Sequence, residues 1–185
     1  LTGLQVEEED NTVRISTESW KQAIDLIVQV PVSSSLEIRS MNDGSIVVEN
    51  VSGNLEVQNQ RGPITLRNVS GNVVANTMSG DIEAVMTRVA ADKPLAFSTM
   101  NGDIDVTFPA DLKASVKMKT RQGIIYSDFD VVLKPTPQKV EEAATPERGK
   151  YRISFDKGIF GAINGGGQEI TFTSSMGNIF IRKKK

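Results

Sequence analysis

VSGNLEVQNQRGPITLRNVSG, residues 51–71, carries glycine at 53, 62 and 71, nine residues apart each time. Gly44 upstream and Gly80 downstream extend the beat to five glycines. Between the glycines the residues alternate. Leu55, Val57, Ile64 and Leu66 are apolar, whereas Glu56, Gln58, Thr65 and Arg67 are polar. Period-two alternation marks a strand with one buried face. The stretch therefore reads as strand, tight turn at Gly62, strand, with Gly53 and Gly71 at the return corners.

Five further segments align on the same anchor: 36–50, 73–86, 95–108, 116–129 and 170–183. Their anchors, with Gly62, are Gly44, Gly80, Gly102, Gly123 and Gly177. Taking two inward sites per strand gives 24 positions, of which 23 are apolar, with Ser127 the exception. The 24 outward sites hold only six apolar residues: Val47, Val74, Val85, Ala96, Tyr126 and Phe180. The second residue after each anchor is isoleucine in all six segments. A small polar residue precedes each turn: Ser40, Asn59, Thr77, Thr99, Thr120 and Ser174. Like residues at like offsets are what parallel, in-register coils produce, each residue about 4.8 Å from its counterpart. The expected fold is all-β: a single-stranded parallel β-helix of about six short two-sided coils, roughly 29 Å of stack. Turn-flanking hydroxyls and amides would satisfy backbone groups at the bends.

The whole of 1–185 reads as one domain. Residues 1–31 supply an N-terminal cap, with strands at 12–16 and 23–31 joined around Trp20, because an open sheet end exposes unpaired backbone groups. Coils one to five occupy 36–129, an insertion runs over 130–168, and the last coil occupies 169–185. Within the insertion, 134–150 is rich in Pro, Glu, Lys and Thr and reads as a mobile loop. RKKK (182–185) is expected to blunt the far edge of the stack. In the fifth coil, Ile124 and Tyr126 compete with Ile125 and Ser127 for the inside.

Net charge is −2 and pI about 5.3 over 185 residues, so no basic footprint for nucleic acid is present. The absence of cysteine and histidine removes thiol nucleophiles, imidazole bases and the usual zinc ligands. No apolar run reaches the roughly 20 residues that span a bilayer. The expected catalytic, cofactor-binding and metal residues are therefore none. The nearest approach to a site is an acidic column: Asp81 with Asp103, and Glu83 with Asp105, at matching offsets in adjacent coils. Stacked carboxylates invite a cation or a glycan, while a solvated acidic face with Arg67 sharing the charge is the simpler reading. Tyr126 and Phe180 fall in the column of Glu83 and Asp105. They form either a sugar platform or a patch covered by the 130–168 insertion, and the covered patch is favoured. GAINGGGQ lacks the ending of a phosphate loop and reads as a turning corner. The nine-residue beat also lacks the tandem glycines of calcium-binding toxin repeats.

Ser79-Gly80-Asp81-Ile82, Asn101-Gly102-Asp103-Ile104, Ile163-Asn164-Gly165-Gly166-Gly167 and Gly177-Asn178-Ile179 together resemble bacterial adhesin-type cell-envelope families, including the head-GIN type. The resemblance covers about 27–183. It implies a pectin-lyase-like stack without catalytic residues, export to the periplasm, outer surface or extracellular space, and an adhesive or scaffolding role. A surface glycan or another envelope protein is the expected partner, and the expected state is monomer or weak oligomer. Two alternatives stand beside it. One is a glycan-binding or lyase-like protein using the acidic column beside a base such as Arg67. The other is a self-assembling filament module.

Overall fold

Alternation and glycine spacing are realised as 18 strands and no helix in a computed structural model describing residues 3–17, 24–90, 93–135, 138–141, 152–155 and 158–185. Two compact units emerge, 1–30 and 31–185. In the first, β1 (Leu4–Glu9) pairs antiparallel with β2 (Thr12–Thr17). Asp10 and Asn11 close the hairpin with φ of 50° and 59°. Both central residues being left-handed defines the two-residue turn that matches strand twist, and Asp and Asn tolerate it best after glycine. This corrects the expected pairing of 12–16 with 23–31. A two-residue closure is local, whereas a loop around Trp20 would cost more entropy. Residues 24–30 form no strand, and Trp20 lies outside the described residues.

In the second unit the chain alternates between two sheets. β3 (Leu36–Asp43), β5 (Leu55–Arg61), β7 (Val73–Ser79), β9 (Leu95–Asn101) and β11 (Ala114–Gln122) lie in an eight-stranded sheet. β4 (Ile46–Glu49), β6 (Ile64–Ser70), β8 (Ile82–Arg88), β10 (Ile104–Phe108) and β12 (Ile125–Ser127) lie in a six-stranded one. The larger sheet also takes β13 (Val131–Lys134), β16 (Ile159–Ile163) and β17 (Gln168–Met176); β18 (Ile179–Lys183) joins the smaller. β14 (Gln138–Glu141) and β15 (Arg152–Phe155) pair with each other. Coil-to-coil pairing is parallel and in register, Ile46 against Ile64 and Ile64 against Ile82. The architecture is solenoid-like, as the repeat demanded.

The order of coils is not the order of the sequence. Across the larger sheet the strands run β3, β5, β7, β9, β17, β11, β16, β13, and across the smaller β4, β6, β8, β10, β18, β12. The C-terminal coil thus lies between coils four and five. Its Ile179 pairs with Ile104 on one side and Ile125 on the other. The expectation that RKKK blunts an edge is corrected with it. Arg182 and Lys183 belong to an interior strand, and the Lys184 N–H donates to Phe108 O.

A glycine ladder records the same order. A Cβ built on Gly62 would fall on the carbonyl oxygen of Gly44, on Gly80 that of Gly62, and on Gly102 that of Gly80. The ladder then passes to Gly177, which abuts Gly102, and from Gly177 to Gly123. Only glycine allows backbones to approach so closely in every layer. The beat of nine is therefore a packing requirement.

Of the 24 inward sites, 20 are buried. The four that are not, Leu36, Ile38, Ile125 and Ser127, lie on the edge strands β3 and β12. Ile125 nonetheless holds the inward column, in register with Ile179, while Tyr126 faces out beside Phe180. In the turn-flanking polar column Asn59, Thr77, Thr99 and Ser174 are buried and Ser40 and Thr120 half-buried. Thr77 Oγ1 donates to Gly62 O (3.1 Å), Thr99 Oγ1 to Gly80 O (3.0 Å), Ser174 Oγ to Gly102 O (3.2 Å) and Thr120 Oγ1 to Gly177 O (2.9 Å). Each contributes about 1 kcal/mol net. Phe97 and Phe172 stack at 5.6 Å, with Phe108 edge-on to Phe172 at 6.3 Å, which locks the inserted coil against coil four.

The insertion is a hairpin, not a loop throughout. β13 pairs antiparallel with β16, and the same two chain segments pair again as β14 and β15. Residues 142–150 of the expected mobile loop lie outside the described residues. β16 lines the far side of β11, so the chain must cross β11 to start β17 on the near side. INGGG makes that crossing. Asn164 Nδ2 donates to Leu112 O (2.7 Å), and a Cβ on Gly167 would come within 2.7 Å of Lys113 O.

Candidate functional site

The column after each anchor glycine holds Asp81, Asp103 and Asn178 in adjacent coils. Each reaches across to the next layer. Asp81 Oδ1 accepts from the Asp103 N–H (2.8 Å), Asp103 Oδ1 from the Asn178 N–H (2.7 Å), and Asn178 Oδ1 from the Ile124 N–H (3.0 Å). A carboxylate here supplies an acceptor for a turn amide that the parallel ladder leaves over, a side-chain cap repeated layer by layer. Both aspartates of this column thus have a structural task.

Two residues along the strand, the outward column of the smaller sheet reads Val47, Thr65, Glu83, Asp105, Phe180 and Tyr126, as the pairings place them. Sequence alignment correctly set Glu83 beside Asp105 and put Tyr126 and Phe180 in their column. Insertion of β18 brings Phe180 directly against Asp105. Arg182, two residues on, forms the ion pair: its Nε lies 2.7 and 2.8 Å from the Asp105 oxygens and its Nη2 2.7 Å from Oδ2. The hydrogen bond to Asp105, and then that carboxylate's charge, raise the Arg182 pKa above its ordinary value. Arg67, expected to share the charge of this cluster, instead holds Glu49 at 2.8 Å. Arg182 was missed because its neighbours depend on a coil order that spacing does not encode.

The rings of Tyr126 and Phe180 stack at 5.0 Å and 5°. The Arg182 guanidinium sits 5.1 Å from the Phe180 centroid, drawn toward Asp105 on the opposite flank from Tyr126. Both faces of Phe180 are thereby occupied within the chain, by a stacked ring and a cation. Tyr126, on edge strand β12, keeps one face open. Strands β13 and β16 of the insertion, which was expected to cover this pair, join the larger sheet, and Tyr126 is 48% exposed.

Among the described residues no group of three acidic side chains converges on a common point. Two shallow depressions mark the larger sheet. One of about 340 Å³ includes Glu37 and Glu56, both within 4 Å of Arg39, and one of about 150 Å³ includes Lys117, Lys134, Phe160 and Glu169. No helix among the described residues is long and apolar enough to cross a membrane.

In the family comparison, the model of Toastrack DUF4097 matches residues 25–158, well over half of the chain. The chain belongs to the Toastrack DUF4097 family. The Toastrack match takes in coils one to five and enters the hairpin insertion, and stops short of β16 and the C-terminal coil. Toastrack membership supports the broad reading of a solenoid-like repeat family and does not carry the adhesin or head-GIN label. No curated protein and no solved structure matches the chain.

Proposed function

We propose that this Toastrack chain is an exported, non-enzymatic scaffold or adhesive module of the bacterial cell envelope, built on a pectin-lyase-like stack. The observation that carries this reading is the internal use of the polar groups most suggestive of chemistry. Asp81 and Asp103 accept turn amides, and Asp105 is held by Arg182. What is left over on the outward strand positions is a mixture of charges, with Arg39 on Glu37 and Arg67 on Glu49, which suits surface contact. Fractionating cells that express the tagged chain, with protease applied from outside, tests export. Recovery only in the cytosol would overturn it. A glycan and lipid screen of the same protein tests the contact role, and turnover of any glycan offered would reject the non-enzymatic assignment.

Glycan binding is a second reading, favoured by the open ring face of Tyr126 beside Phe180. Sugar stacking on that face would quench or shift tyrosine fluorescence in the parent and not in Tyr126→Ala.

A further inference from the structure

The two sheets do not end together. Six strands of each pair across the interior, and the larger sheet then continues for two more, β16 and β13, with no strand of the smaller sheet facing them. Inward positions on this overhang follow from register. Ile163 and Gly161 oppose the buried Ala114 and Val116, and Leu133 opposes Gly161. Ile163 is buried, but Leu133 and Ile159 remain 69% and 45% exposed on a face that elsewhere forms the core. Beside them lies β12, the edge of the smaller sheet among the described residues, with Ile124 and Tyr126 also exposed. Ile124 O and the Asp128 N–H face β18, so the alternate residues Ile125 and Ser127 turn their N–H and C=O groups toward the open side. The edge carries none of the lysines or prolines that usually blunt such a strand. This notch is shaped for one more strand, apolar on its inward side.

The chain contains a segment of that description. Residues 24–30, IDLIVQV, alternate with Ile24, Leu26, Val28 and Val30 on one side and Asp25, Ile27 and Gln29 on the other. It has the β-branched pattern of a strand yet forms none. Leu26 and Val28 are about half exposed, and Ile27 is 92% exposed. A soluble chain gains about 25 cal/mol for each Å² of such apolar surface it covers.

We infer that 24–30 of one molecule adds as a strand to β12 of a second copy of this chain. Ile125 and Ser127 supply the edge hydrogen bonds, Leu26 and Val28 cover Leu133 and Ile159, and Ile27 falls on the outward side with the open ring of Tyr126. Such strand addition takes affinity from main-chain bonds and specificity from alternate side chains. Because donor and acceptor are different surfaces, the contact is heterologous and leaves a pair with one free donor, on one molecule, and one free acceptor, on the other. It does not depend on where the protein resides or on any glycan.

The test is sedimentation of three full-length proteins: the parent, Leu26→Asp/Val28→Asp, and Leu133→Asp. The parent should associate with rising concentration, and each variant alone should associate roughly tenfold or more weakly. At concentrations low enough for the parent to be monomeric all three should melt alike, since every altered residue is exposed. Mixing the two variants should restore a 1:1 complex, because one keeps its notch and the other its strand. A parent that stays monomeric at every concentration, or variants that associate like the parent, overturns the inference. So does failure of the mixture to form a dimer when both variants remain folded.

Discussion

Coils one to four and the pair formed by coil five and the C-terminal coil use one repeat, yet they are assembled differently. In the first region each coil packs on the one before it, and the register steps from Ile46 to Ile64, Ile82 and Ile104 in chain order. In the second, coil five is laid down one layer too far, and the chain returns through β13, β16 and INGGG to fill the gap. The same glycine, small-polar and isoleucine columns run through both regions without a break. The repeat therefore specifies what may neighbour what, and the connections specify which coil goes where.

That contrast can be broken most severely at the inserted layer. Gly177→Val drives a side chain into Gly102 O and should cost about 4 kcal/mol or more, a fall of about 10 °C in Tm by calorimetry. Gly165→Ala, in the crossing, meets open space and should cost only about 1–2 kcal/mol, from its φ of 86°. Next in size, Phe172→Ala should cost about 3–5 kcal/mol in urea unfolding and match Phe97→Ala, because both rings are fully buried in adjacent layers. A terminal coil would instead behave like Ile125→Ala on edge strand β12, at about 1 kcal/mol. Thr99→Val removes a buried donor to Gly80 O and should cost about 1–2 kcal/mol. At the small end, Glu83→Ala should leave the melting curve within about 0.5 kcal/mol, as an exposed side chain does away from such features.

Much of this was legible in the sequence because a two-residue period and a glycine at every bend have direct physical causes. The inward and outward columns, the bonded Thr77–Thr99–Thr120–Ser174 series and the Tyr126–Phe180 neighbourhood all followed from alignment on the anchors. What was not legible was long-range order. Any coil of this repeat can pack on any other, so the alignment could not reveal that Gly177 sits between Gly102 and Gly123. Arg182 as partner of Asp105 was hidden for that reason. The hairpin within 131–163 was obscured by Pro135, Pro137 and a polar composition that resembles a loop. At the N-terminus, β propensity at 24–30 was read as pairing. The strand pattern is present, but 24–30 forms no strand.

The absence of cysteine permits a direct test of coil order. Ser98 and Thr173 face each other across β9 and β17, and Thr173 and Lys119 across β17 and β11, all on the outer surface. Adjacent strands lie about 4.8 Å apart, within disulfide reach, whereas Ser98 and Lys119 are two strands, about 9.6 Å, apart and beyond it. Oxidising the three double-cysteine variants and mapping the products by mass spectrometry should give cross-links for Ser98→Cys/Thr173→Cys and Lys119→Cys/Thr173→Cys, and none for Ser98→Cys/Lys119→Cys. A cross-link between 98 and 119, with neither residue linking to 173, would mean that the coils stack in sequence order and would contradict the inserted C-terminal coil.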